Sequence, residues 1–230
     1  MTTDPIRLVI FDVAGTIIED HGEVLDAFSH ALKETGIAFT DVELREWKGA
    51  AKREVIRHFV QRQFSDGSGR PDKIEATYAN FRNLLETHYC KRGVSPIPGA
   101  QSTFAWLRER DIEIATTTGF YREVNDLVLD RAGWREMFRA SISSSDVPRG
   151  RPAPDMIFRA MEATGVTNPV QVINLGDTPL DLQAGTNAGV RGVIGVLTGA
   201  HGRERLQREP HTHILSSVAD LPTLIEKEYS

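Results

Sequence analysis

Three short apolar runs in this chain end on residues that can handle a phosphoryl group and a hard cation. Residues 7–12 read RLVIFD and close on the carboxylate of Asp12. Residues 115–119 read ATTTG and close on Thr117, Thr118 and Gly119. A third run, from residue 170, closes on Gly176 and Asp177. A carboxylate can attack phosphorus as a nucleophile and can ligate a hard divalent cation through oxygen. Hydroxyls and a glycine amide can donate to phosphoryl oxygens. A single Asp at a strand end is ordinarily a turn or cap residue, but three such ends meeting in one place form a phosphate-and-metal inventory.

The elements that must position them can be read from periodicity. Over residues 23–35, Val24, Leu25, Phe28, Ala31 and Leu32 recur as a helical stripe. Val55, Ile56, Phe59 and Val60 form a second stripe. Ile74, Tyr78, Phe81, Leu84, Leu85 and His88 form a third, after the turn-rich SDGSGRP of residues 65–71. Residues 18–95 therefore read as all-helical. Pro96, Pro98 and Gly99 punctuate the chain, and beyond them helices alternate with short apolar strands at 112–118, 140–144, 170–175, 192–197 and 213–215. The intervening helices lie around Phe104 and Leu107, around Val124 and Val128, at 157–161 and at 182–188, with a last one near 221–227. Such alternation builds a parallel sheet with helices on both faces. The expected fold is α/β: a doubly wound, mostly parallel sheet from residues 1–17 and 96–230, with a helical unit, 18–95, inserted after the first strand. Ligands bind at the carboxyl ends of such sheets, so Asp12, Thr117 to Gly119 and Asp177 should share one crevice.

Bulk properties narrow the partners. The 230 residues suit one domain carrying a smaller insertion, and 40% hydrophobic with 26% charged residues is ordinary for a soluble globular chain. A net charge of −5 and a pI near 5.8 argue against a nucleic-acid partner while leaving room for a local basic pocket. The single cysteine, Cys90, excludes an intrachain disulfide and reads as a packed or half-exposed residue near a helix end. No apolar run reaches membrane-spanning length and the start carries no signal pattern, so a cytoplasmic protein with no membrane partner is expected. His211 and His213 share a strand face but have no third ligand. His201 follows a strand end and either approaches the crevice or sits in a loop. Phosphate-binding P-loop, dinucleotide and nucleophile-elbow motifs are absent.

Four segments together carry a resemblance. FDVAGT at residues 11–16, ATTTG at 115–119, GRPAPD at 150–155 and GDTPLD at 176–181 resemble, in order and spacing, the four motifs of the haloacid dehalogenase superfamily of hydrolases. A helical cap between the first two motifs is a common arrangement there. Most phosphatases of that superfamily carry a second Asp two residues after the nucleophile, where this chain has Ala14. Ala14, the TTG followed by Phe120, and GRP in place of a lysine motif resemble the phosphonoacetaldehyde hydrolase (phosphonatase)-like family. GVLTGAH at 195–201 and the late PHTHILSSVADLP are similar to it as well.

The resemblance implies a set of roles. Asp12 is the nucleophile. Asp12, the carbonyl of Ala14 and Asp177 ligate Mg²⁺, with Asp181 acting through water. Arg151 and Thr117 polarise the phosphoryl group, and Gly15, Thr118 and Gly119 hold its oxygens. Lys52, in WKGAAKRE, stands where the phosphonatase cap carries a lysine that forms a Schiff base or contacts the substrate. Lys48 and Arg53 are expected to lower its pKa by like-charge repulsion. The implied activity is cleavage of the carbon–phosphorus bond of a small phosphonate, with a homodimer formed through the cap. Hydrolysis of a small phosphate ester is the alternative, and a non-catalytic ligand-binding homologue the third reading. This chain departs from the family at Lys48, where a methionine is usual, at Val55, where a histidine is usual, and at Phe120, which lacks a tyrosine hydroxyl. His58, one helical turn beyond Val55, is the candidate replacement for that histidine.

Overall fold

The apolar run after Ile6 becomes β1 (Leu8–Phe11), with all four residues fully buried. Its side chains alternate between faces. Val9 and Phe11 join one apolar layer, and Leu8 and Ile10 the other. A strand buried on both faces needs cover on both, and the rest of the chain supplies it. The structure is a computed structural model that describes residues 4–64 and 70–229. The turn expected over 65–71 lies outside the described residues at 65–69, and its last two positions, Arg70 and Pro71, already begin a helix.

Between β1 and the next strand run α1 (Glu23–Glu34), α2 (Asp41–Glu46), α3 (Lys52–Gln63), α4 (Arg70–Arg92) and α5 (Ala100–Arg108). Then follow β2 (Glu113–Thr118), α6 (Arg122–Arg131), β3 (Ala140–Ser143), α7 (Asp155–Thr164), β4 (Val172–Gly176), α8 (Pro179–Ala188) and β5 (Gly192–Val196). The chain ends with α9 (Arg203–Leu206), β6 (His213–Leu215) and α10 (Leu221–Glu228). The strand order is β3-β2-β1-β4-β5-β6, and every pairing is parallel. Met156 and Ile157 of α7 and Leu182 of α8 cover one face of the sheet, and Phe104 of α5, Val124 of α6 and Leu221 of α10 cover the other. Phe11 is level with Thr116 on one side and Leu175 on the other. The strand order reverses at β1, which opens the ligand crevice of a doubly wound sheet at that height.

The helical segment α1–α4 packs on itself chiefly through α1 and α4, where the Phe28 and Phe81 rings stack at 4.2 Å. In α4 the buried face is Ile74, Thr77, Phe81, Leu85 and Tyr89. Tyr78, Leu84 and His88, expected in that stripe, are only half-buried. Thr77 can face inward because its hydroxyl donates to Lys73 O at 2.7 Å, leaving no unmet polar group. Helix α2 was not expected from periodicity, being too short to show one; a capping box between Thr40 and Glu43 starts it. The two connections to the sheet lie side by side: Ile97 N donates to Ile17 O and Glu19 N to Ser95 O, each at 2.9 Å.

Three smaller expectations need correction. Strand β4 begins at Val172 rather than at residue 170, because Pro169–Gln171 forms a 3-10 turn capped by Asn168 that leaves Val170 46% exposed. Cys90 is exposed rather than packed or half-exposed. His211 lies outside β6 and bonds Glu209 O, while His213 bonds Glu228, so the two do not form a ligand pair. No described helix is long and apolar enough to cross a membrane.

Candidate active site

Asp12 directly follows β1. Its amide donates to Leu175 O at 2.8 Å, so pairing with β4 continues to that residue and fixes where its carboxylate starts. Gly15 then turns the chain with φ of 88°, and a Cβ there would lie 2.6 Å from Asp177 Oδ2, so no larger residue fits. Asp177 follows β4, and Asp181 lies in the first turn of α8. Thr178 caps that helix: its hydroxyl and amide donate to Asp181 Oδ2 at 2.6 and 3.0 Å. One oxygen each from Asp12, Asp177 and Asp181 comes within 4.8 Å of the others, and all three residues are buried.

Arg151 lies behind this cluster. Its Nη1 stands 2.7 Å from Asp12 Oδ1 and 2.7 Å from Asp181 Oδ1, and its Nη2 donates to Thr117 O and Thr117 Oγ1 at 2.8 Å. Three buried carboxylates facing one guanidinium leave negative charge unmatched. Burial, with Asp12 and Asp181 adding repulsion, holds the Asp177 carboxyl well above its ordinary value. Burial, only partly offset by Arg151, pushes Asp181 up to about 6. Asp181 Oδ1 touches Arg151 as an ion pair but makes no hydrogen bond. Hard oxygens short of positive charge, one of them without a hydrogen bond, fit a divalent cation such as magnesium.

The loop between α2 and α3 closes over the cluster. Gly49 has φ of 87°, and a Cβ there would sit 2.5 Å from Thr178 Oγ1. A Cβ on Gly119 would meet Ala50 O at 2.5 Å and Gly49 O at 2.6 Å. The loop backbone therefore lies directly against the strand tips, which sets Lys48 and Lys52 over the carboxylates. The resulting pocket is a tight crevice with a cavity volume of about 30 Å³, lined by Asp12, Asp177, Lys48, Lys52 and Asp20 together with apolar side chains such as Phe28 and Trp47.

Lys52 is the first residue of α3 and is 7% exposed. Its Nζ donates to Ala50 O at 3.3 Å and lies 5.2 Å from the centre of the Phe120 ring. Burial, opposed by Asp12 and reinforced by Arg151, lowers its pKa to about 8. The direction agrees with the sequence expectation, but the cause differs. Burial dominates, Lys48 adds only a smaller push, and Arg53 points outward to an ion pair with Glu75. Lys48 Nζ donates to Asp20 Oδ2 at 2.7 Å. Burial raises the Asp20 carboxyl, but the Lys48 charge and the hydrogen bonds from Lys48 and Gly22 outweigh it and hold Asp20 below its ordinary value.

Of the residues singled out from sequence, Asp12, Ala14, Lys52, Thr118, Gly119 and Asp177 line this pocket. Gly15, Thr117, Arg151 and Asp181 stand behind its wall; the Thr117 hydroxyl accepts from Arg151 and keeps its own proton to donate, and the Arg151 guanidinium faces protein oxygens. His58 does not reach the amine: it is exposed and packs on the Trp47 ring with centroids 4.4 Å apart. His201 sits beside the crevice without lining the pocket, with Nδ1 buried and unpaired, while the preceding Ala200 amide donates to Asp177 Oδ2 at 2.6 Å. The sequence reading missed Asp20 and the pocket role of Lys48. It also missed Thr178, although a threonine three residues before Asp181, with proline between, is a legible cap signature.

Comparison with known proteins agrees with this architecture. The family model described as haloacid dehalogenase-like hydrolase matches residues 9–196. A phosphonoacetaldehyde hydrolase of Bacillus cereus is 34% identical over 209 residues, spanning 85% of this chain and 77% of that protein. The enzyme of that name from Hahella chejuensis is 31% identical, spanning 96% of this chain and 86% of its own. A hydrolase from Pseudomonas syringae superposes with a TM-score of 0.85 at 17% identity, over 97% of this chain and 100% of that one. A phosphonoacetaldehyde hydrolase-like protein from Oleispira antarctica superposes with a TM-score of 0.81 at 24% identity, over 97% and 92%. The two structures share the fold. With the family model covering most of the chain and relatives above 30% identity along it, the protein belongs to the haloacid dehalogenase-like hydrolases.

Proposed function

We propose that this hydrolase cleaves the carbon–phosphorus bond of a small phosphonate bearing an aldehyde, using Asp12 as nucleophile and Lys52 as an imine-forming amine, with residues 18–95 acting as the cap. The observation that carries this reading is the Lys52 amine, buried in the same pocket as Asp12 and depressed to about 8. A carbon leaving group cannot be expelled by simple protonation, and Ala14 supplies no acid for that purpose. An amine offers another route. Lys52 condenses with the aldehyde, releasing water and leaving an iminium. Asp12 attacks phosphorus, and the electron pair of the breaking C–P bond passes into the iminium to give an enamine. Water cleaves the aspartyl phosphate, returning Asp12 and releasing phosphate. Protonation and hydrolysis of the enamine return Lys52 and release the shortened aldehyde.

Asp12, the Ala14 carbonyl and Asp177, with Asp181 behind them, are the residues that would hold magnesium, which when bound supplies positive charge to the phosphoryl oxygens. Arg151 acts as a positioning residue, bridging Asp12 and Asp181 through one nitrogen and joining them to Thr117. Thr118 and Gly119 line the same pocket as Asp12, where their donors would meet phosphoryl oxygens. The names of the relatives at 31–34% identity support the same substrate class.

Borohydride added with phosphonoacetaldehyde should trap a covalent adduct that Lys52→Ala lacks. Failure to trap it, together with no acetaldehyde release, eliminates this substrate. One observation favours a phosphate ester instead: Val55 is fully buried and His58 faces outward, so neither gives the amine an imidazole partner. Faster turnover of any ester than of every phosphonate in a metabolite screen would select that reading.

A further inference from the structure

The pocket contains a charged pair that the proposed chemistry does not use. Lys48 and Asp20 both line it, their side chains are only 16% and 8% exposed, and Nζ and Oδ2 lie 2.7 Å apart. Holding two charges away from water is costly without a return, and an apolar side chain would fill the space with less desolvation. The pair is not fully satisfied internally. An ammonium has three protons, and among the described residues Asp20 is the one acceptor found for Lys48; Asp20 in turn accepts from Lys48 and from Gly22 N at 2.9 Å, leaving carboxylate lone pairs over. It therefore presents a donor and an acceptor side by side above the strand tips, 28 residues apart in sequence but meeting at one wall.

We infer that Lys48 and Asp20 read a hydroxyl on the carbon skeleton of the substrate, so that the preferred substrates are small hydroxylated phosphonates or phosphate esters. A hydroxyl can accept from the Lys48 ammonium and donate to the Asp20 carboxylate at once. A second anion is a poorer match, because the Lys48 charge is already answered by Asp20 and the anion would face that carboxylate. A purely aliphatic tail offers neither of these half-buried groups a further hydrogen-bond partner. The inference rests on the proposed phosphoryl chemistry at Asp12 but not on which bond is cleaved.

The test compares matched pairs: 2-phosphonopropanal against 3-hydroxy-2-phosphonopropanal, both with phosphorus on the carbon next to the aldehyde, and ethyl phosphate against 2-hydroxyethyl phosphate, with a carboxylate-bearing phosphonate as a third arm. In the wild type, kcat/KM for the hydroxylated member should exceed that of its partner by about 10-fold or more, the size expected for the loss of one hydrogen bond to a charged group. Lys48→Met and Asp20→Asn should bring the ratio close to 1, while Arg53→Met, an exposed cation outside the pocket, keeps it. Competitive inhibition by the same pairs gives the ratio even in a variant with little turnover. No hydroxyl preference in the wild type, a preference unchanged in Lys48→Met, or a stronger preference for the carboxylate overturns the inference. If only esters turn over, with the preference intact, the carbon–phosphorus reading fails and this one stands.

Discussion

Lys52 carries a pH dependence whose direction follows from its surroundings. Burial favours the neutral amine and sets its pKa near 8, against 10.5 when solvated. Imine formation needs the neutral form, so adduct trapping should rise about tenfold per pH unit below that point and level off above it. A profile flat from about pH 6 to about pH 10 would contradict an amine in this role. The carboxylates behave in the opposite sense. Asp181 is raised from 3.8 to about 6, so the folded protein without metal binds more protons than the unfolded chain in that window, and its stability falls as pH rises through it. Asp177→Asn removes one of the three crowded charges and should raise the melting temperature of metal-free protein by roughly 2–4 °C, for a relief of about 1 kcal/mol. A melting temperature lowered by this substitution would show that the cluster is not strained by charge. At this scale the sequence was informative where chemistry sits at strand tips, as for Asp12 and Asp177. It was silent on Asp20, because no local pattern brings a residue of one connection to a lysine 28 positions on.

Elements position these groups through backbone contact. Glycine at 119 and at 49 lets the α2–α3 loop lie against the tips of β2 and β4. Gly119→Ala would force the Gly49 and Ala50 carbonyls away and carry Lys52 with them. A displacement of that kind should cost about 100-fold in kcat/KM, with only a small change in melting temperature; wild-type activity in this variant would mean that the loop need not dock so closely. Within the helical segment, the Phe28–Phe81 stack joins α1 to α4. Phe81→Ala should destabilise by about 3–5 kcal/mol, read as faster amide exchange in α1 and α4 than in β1 and β4. Periodicity disclosed β1 and β5 well, since both are short apolar runs bounded by polar turns. It placed the α4 stripe only approximately, since a threonine that bonds its own helix can face the core as readily as a tyrosine can.

For the whole molecule, the cluster of acids links metal binding to folding. A cation that binds only the folded state at about 100 times its Kd adds about 2.7 kcal/mol, or roughly 5–10 °C for a chain of this size. Magnesium should produce such a shift in the wild type and none in Asp12→Asn; an unmoved wild-type transition would argue against a magnesium site. The sequence by itself determined the parallel sheet, the helical segment after the first strand and the strand-tip acids, because apolar period and strand-end chemistry are local properties carried by adjacent residues. Only the tertiary structure decided that Arg151 serves the protein's own carboxylates at 2.7 Å, that Lys52 is buried rather than solvated, and that Lys48 is matched by Asp20. Those outcomes depend on distances between segments remote in sequence. Burial and neighbouring charge, which set the state of Lys52, Asp20 and Asp181, exist only once those segments have packed.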